Sequence, residues 1–223
     1  MRNALMLLPL ALALAASPAF AQDRVSIDKV NGSIHAEAGR SYGSLETVNG
    51  SIRIDAGVQA GSAETVNGSI RLEDGAQVDS LETVNGSIHA GERVRVQDDI
   101  ETVNGGIFVD RGGRVGGGIA TVNGAIGLVD TDLGRGIETV NGDITVGIGS
   151  HVRGGIRVEK PRGTQFLNLR KRDPRIVIGP NAQVDGPLVF ERTVTLYVHD
   201  TAKIGTVTGA TAQRFSTPTP PAP

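Results

Sequence analysis

The chain has no cysteine and no tryptophan, and aromatic residues make up only 3% of its 223 positions. Without cysteine it has no disulfide and no cysteine that could carry a lipid behind a leader. A globular core of the usual kind draws on large rings. A narrow core of Val, Ile and Leu has no need of them. An excess of one charge is also missing, with 22 Lys and Arg against 24 Asp and Glu. If Arg2 is lost with a leader, the 22 basic residues become 21 against 24 acidic ones, a net charge of −3. A chain so close to neutral does not look like a nucleic-acid binder, whose domains are strongly basic. Beyond the first residues no apolar run approaches the roughly 20 residues that a spanning helix needs, so no transmembrane segment is expected.

Met1–Ala21 reads as a secretory signal peptide. It has a basic start at Arg2, an apolar stretch from Ala4 to Ala16, and small residues at Ala19-Phe20-Ala21 for cleavage near Ala21. The expected product starts near Gln22 and is periplasmic or secreted.

What the chain has in quantity is repetition. Val-Asn-Gly occurs seven times, at Val30, Val48, Val66, Val84, Val103, Val122 and Val140, with spacings of 18, 18, 18, 19, 19 and 18 residues. Glu-Thr-Val-Asn-Gly-Ser-Ile is complete at 46–52, 64–70 and 82–88, and 138–144 differs only by Asp143. A period this short belongs to a unit that buries its apolar side chains only by stacking on its neighbours.

Counting the valine as position 1, Ile recurs at position 5 (Ile34, Ile52, Ile70, Ile88, Ile107, Ile126, Ile144). Apolar residues follow at position 7 (Ile54, Leu72, Val109, Leu128, Val146), near position 13 (Val78, Val96, Val115, Val152) and near position 16 (Leu45, Leu81, Ile100, Ile119, Ile137, Ile156). Alternation at 5 and 7 marks a strand, and the three-residue steps mark corners. Asn-Gly is expected at one corner, where positive φ would suit both residues. Recurrent glycine and the absence of a 3.6-residue stripe exclude long helices. The fold expected is all-β, a single-stranded parallel β-helix (β-solenoid) of 18–19-residue coils spanning 22–158.

The Glu-Thr-Val-Asn-Gly-Ser/Asp-Ile motif resembles the repeats of a bacterial adhesin family of secreted β-solenoid proteins, over roughly residues 25–158. Its broader pattern is similar to that of bactofilins, which are polymer-forming β-helical scaffolds. The first resemblance implies a non-enzymatic exported module with a structural or adhesive role at the cell envelope. The second implies a self-assembling filament subunit, although bactofilins are mostly cytoplasmic. A carbohydrate-active β-helix enzyme is a more remote alternative, because coils of 18 or 19 residues leave no room for long active-site loops before Glu159.

Regularity stops at 159–175, a basic excursion loop in which 160–175 carries six basic residues and one acidic one. Lys160, Arg162, Arg170, Lys171, Arg172 and Arg175 are the candidate binding residues there, for anionic envelope glycan or lipid headgroups. The plainer reading is a solvated excursion loop, since charge runs are usually solvated. Two further coils with larger side chains are expected over 176–208, with Phe190 and Tyr197 capping the core. The Thr-, Ala- and Pro-rich stretch 209–223 is expected to be disordered and to shield the last strand. The other expected partner is a second copy stacked end to end.

Stacking should also align Glu46, Glu64, Glu82 and Glu101 in one column and His35, Arg53, Arg71 and His89 in another, each offsetting the other. The Gly-Gly-x-Gly-x-Asp signature of calcium-binding repeats is missing. His35 and His89 lie three coils apart, too far for one metal, and His151 and His199 have no ligand cluster at metal spacing. No nucleophile-elbow motif surrounds Ser150-His151, and no Gly-x-Gly-x-x-Gly or P-loop string occurs. No catalytic residue, cofactor or metal is expected. Asn-Gly-Ser at 31, 49, 67 and 85 matches a glycosylation pattern only formally, because these asparagines fall in tight stacked turns.

Overall fold

The computed structural model describes residues 24–161 and 173–221. They form a β-solenoid of about ten turns with three parallel sheets around one apolar core. The first sheet has ten strands, from Val25–Asn31 to Val207–Thr208. The second also has ten, from Ile34–Ala36 to Ala212–Phe215. The third has seven, from Gln77–Val78 to Lys203–Ile204, and isolated bridges at Ser41, Gln59 and Gln77 extend it toward the N-terminus. Each strand pairs with the equivalent strand one coil away, so equivalent residues stack in columns.

The expected core positions all face inward. Ile52, Ile54, Val78, Leu81, Ile100 and Ile137 are buried, and so are their counterparts in the other coils. The strand Leu81–Asn85 shows how the outer columns arise. Leu81 and Thr83 point in, while Glu82 and Val84 point out. Threonine takes the inward place ahead of valine because its hydroxyl has a partner there. Thr47, Thr65, Thr83, Thr102 and Thr121 each donate to the corner glycine carbonyl of the preceding coil, at 2.8–3.1 Å. A buried hydroxyl so paired carries little desolvation cost. Thr139 Oγ1 breaks the series and has no partner.

The Asn-Gly-Ser corner is held by two side-chain ladders. Asn49, Asn67, Asn85, Asn104, Asn123 and Asn141 each donate Nδ2 to the Oδ1 of the asparagine one coil earlier, at 2.9–3.1 Å. Beside them, Ser33, Ser51, Ser69 and Ser87 hydroxyls accept the backbone N–H of the next coil at 3.2–3.3 Å. The glycine's role here differs from expectation. Gly68 and Gly86 do not occupy the left-handed region; a Cβ on either would run into the carbonyl of the glycine beneath. Close stacking demands glycine in these coils, and positive φ is confined to Gly32 and Gly124 at this corner, at 110° and 154°. A different corner is left-handed coil after coil, in the column Gly39, Gly57, Gly75, Arg93, Gly112, Asp130, Gly149 and Asn181, with φ between 45° and 83°.

The segment after Val158 departs where the other coils carry Asn-Gly, and the chain rejoins the second sheet at Arg175–Ile178. Arg175 therefore belongs to a strand. Phe190 faces the core as expected. Tyr197 instead points outward, where it packs with Val177 and Phe215 in a second, smaller cluster. The C-terminal stretch also differs from expectation. Ala212–Phe215 forms the last strand of the second sheet, paired with Thr195–His199. Phe215 draws it there, buried beside Tyr197 and edge-on to His199 with ring centroids 5.1 Å apart.

Candidate binding groove on the third sheet

Three outer faces result, each with its own chemistry. On the first sheet Glu46, Glu64, Glu82 and Glu101 stack in register, preceded by Asp28, and Ala120 interrupts the series before Glu138. Partial burial pushes the Glu101 carboxyl above its ordinary range, and Glu82, Asp99 and Glu138 add to the shift. Beside the acids runs a column of exposed valines, among them Val30, Val48, Val66, Val103 and Val122.

The second sheet carries His35, Arg53, Arg71 and His89 in register, and the column continues to Phe108, on which His89 stacks at 5.2 Å. These bases stand on a different sheet from the Glu column, so the two columns do not offset each other as expected. Arg53 instead reaches Asp55 at 3.4 Å and Glu73 at 3.1 Å. His35 Nε2 lies 2.8 Å from Asp55 Oδ1, and this hydrogen bond holds the Asp55 carboxyl below its usual range.

The third sheet bears a groove of about 500 Å³. Its outward column runs Gln59, Gln77, Arg95, Arg114, Asp132 and His151 on successive rungs, with Gln97 and Arg153 alongside and Arg24 at the N-terminal end. Two-residue strands place one side chain out and one in, so Arg95 and Arg114 face solvent over buried Val96 and Val115. At the far end Arg153 meets Asp132 at 2.8 Å and His151 Nε2 meets Asp185 at 2.7 Å. Hydrogen bonds from Gln183 and then His151 hold Asp185 below its ordinary range. Arg95 and Arg114 have no carboxylate within 4.0 Å among the described residues.

Of the six basic residues predicted as a site, Arg162, Arg170, Lys171 and Arg172 lie outside the described residues. Arg175 stands over the Tyr197 ring at 5.0 Å, and its guanidinium also donates to the Pro221 carbonyl. Lys160 donates its backbone N–H to Glu191 at 3.4 Å. Ser150 is fully buried and its Oγ accepts from Thr131, while His151 faces outward, so the neighbours form no catalytic pair. No three His, Asp or Glu side chains gather as a metal site among the described residues, which also include no helix long and apolar enough to cross a membrane.

The arginine pair escaped sequence reading although a signal was present. Arg95-Val96 and Arg114-Val115 lie one period apart, each arginine just before an inward position-13 valine. Following the residue before that valine from coil to coil would have found the column. No family model, characterised protein or solved structure matches this chain.

Proposed function

We propose that this chain is an exported, non-enzymatic β-solenoid that serves as a structural or adhesive binding module of the cell envelope. The observation that carries the reading is the unbroken stack from Val25 to Val158, whose connections between strands stay short in every coil. The outer columns present side chains on successive rungs about 4.8 Å apart, with Gly127 a gap in the second sheet. Such a surface suits an extended partner with its own repeat better than a single small molecule, which needs a concave and mostly apolar pocket. The signal-peptide pattern of Met1–Ala21 supports export.

Co-sedimentation of the purified protein with isolated envelope material tests the reading. Saturable binding without release of soluble sugar is expected. No binding, or turnover of envelope polysaccharide, would overturn it.

A second reading, a self-assembling filament subunit, draws on the end strand Val25–Asn31. Its residues are mostly exposed, and no other described strand pairs with its outer edge. An edge of this kind is a template for another chain. Negative-stain imaging across a concentration series separates the two readings, since filaments would support the second and isolated short rods the first.

A further inference from the structure

We propose that the groove on the third sheet binds a linear acidic polysaccharide along the solenoid axis, with Arg95 and Arg114 taking carboxylates on its successive sugars. The proposal rests on the binding-module reading and names the partner.

The two arginines occupy equivalent places on adjacent strands. Their backbones are therefore about 4.8 Å apart. Two like charges at that distance repel by roughly 0.9 kcal/mol even in water, before screening. Five arginines elsewhere, Arg53, Arg93, Arg135, Arg153 and Arg157, have carboxylate partners. Arg40, Arg71 and Arg111 stand singly without one, and among the described residues only Arg95 and Arg114 are unpaired on adjacent rungs of one strand column. Asp79 does not come within 4.0 Å of either, and Asp132, on the rung next to Arg114, pairs with Arg153 instead. With Arg24 and Arg153 the groove holds four arginines against Asp79 and Asp132. A chain that is acidic overall thus concentrates positive charge in one recess. A guanidinium is the group suited to planar, two-point recognition of a carboxylate.

The rest of the lining narrows the class of polymer. Gln59, Gln77 and Gln97 offer amides that both donate and accept, which matches the dual character of sugar hydroxyls. No aromatic ring lines the groove, so there is no platform for stacking bases and single-stranded nucleic acid is a poor fit. The groove follows about six rungs, from Gln59 to Arg153, or about 24 Å. That length takes several linked sugars and is wasted on a monosaccharide. One charge per sugar, as in a polyuronate, supplies carboxylates often enough to meet both arginines.

The test is isothermal titration of the full exported chain with polygalacturonate oligomers, beside neutral dextran, polyglutamate of equal charge, and phosphatidylglycerol vesicles. Binding of polygalacturonate that weakens with salt, at least tenfold weaker binding by R95A/R114A, and unchanged binding by R71A on the second sheet are expected. Both arginines are exposed, so the double variant should keep the parent melting temperature; the R95K/R114K variant, which retains charge but loses the planar fork, should fall between. No binding of polygalacturonate, equal binding of polyglutamate or of the vesicles, or undiminished binding by R95A/R114A would each overturn the proposal. Envelope co-sedimentation separates the two levels of inference. If it persists while polygalacturonate fails, the groove assignment is wrong and the module reading stands; if both fail, the module reading goes too.

Discussion

From Val25 to Val158 the molecule is made of copies, and from Asp173 to Pro221 it is made of exceptions. In the first region asparagine answers asparagine and serine answers serine one coil away, so each rung is held by the next in the same manner. Such a stack has no internal reason to end. In the second region the contacts are made once only. Arg192 Nη1 donates to Asn141 Oδ1 at 2.6 Å and to the Val140 carbonyl at 3.2 Å, closing the asparagine ladder. Arg214 donates to the His199 carbonyl, and Phe215 joins Tyr197 and Val177 outside the main core. The difference teaches that repetition supplies the body of a solenoid, while termination needs residues that no repeat unit contains.

Substitutions can break this comparison. The largest effect is expected from Gly86→Ala, whose Cβ would strike the Gly68 carbonyl. We expect a loss of about 3 kcal/mol or more, read by denaturant unfolding, and a cost below about 1 kcal/mol would refute stacking as the reason for glycine there. Next comes Ile100→Ala in the middle of the core, expected to cost about 2–5 kcal/mol. Hydrogen exchange should show it loosening coils on both sides, whereas Phe215→Ala should release only the last strands. Uniform loosening by Phe215→Ala would erase the distinction between the regions.

Smaller effects sharpen it. Arg192→Ala should cost about 1–2 kcal/mol by leaving Asn141 without its donor, and thermal melts would register the loss. Arg93→Gly should stabilise by about 1 kcal/mol, since Arg93 holds φ 56° in a column otherwise kept mostly by glycine. The smallest effect concerns Glu101. Its folded carboxyl titrates above the ordinary value of 4.5, so protonation favours the fold. That contribution is complete below the ordinary value and disappears as pH rises through the raised one. Glu101→Gln should therefore melt higher than the parent at neutral pH and converge with it in acid.

Much of the fold was legible because burial here follows one period. The isoleucines at position 5 and the aliphatics at positions 7, 13 and 16 could be placed inward from spacing alone. The outward valines were not legible, since hydrophobicity by itself would turn Val48 in and Thr47 out. What decides the matter is a hydroxyl finding the Gly32 carbonyl, a partner that exists only after the coils stack. The last strand was hidden by composition, because Thr, Ala and Pro around Phe215 read as a tail. The groove was half legible: its arginines recur at the repeat distance, but their lack of partners is a fact of three dimensions.

The asparagine ladder has an electrical consequence. Each side-chain amide is a small dipole, and all seven, from Asn31 to Asn141, point the same way along the rod. Aligned amides add, as peptide units do in a helix, and neighbouring hydrogen bonds polarise one another. The row therefore carries partial positive charge at Asn31 and partial negative charge at Asn141. Arg192 sets its cation against that negative pole. A body of nearly identical coils thus acquires a head and a tail that differ in potential, so an anion drifting along this edge meets a gradient favouring the Asn31 end.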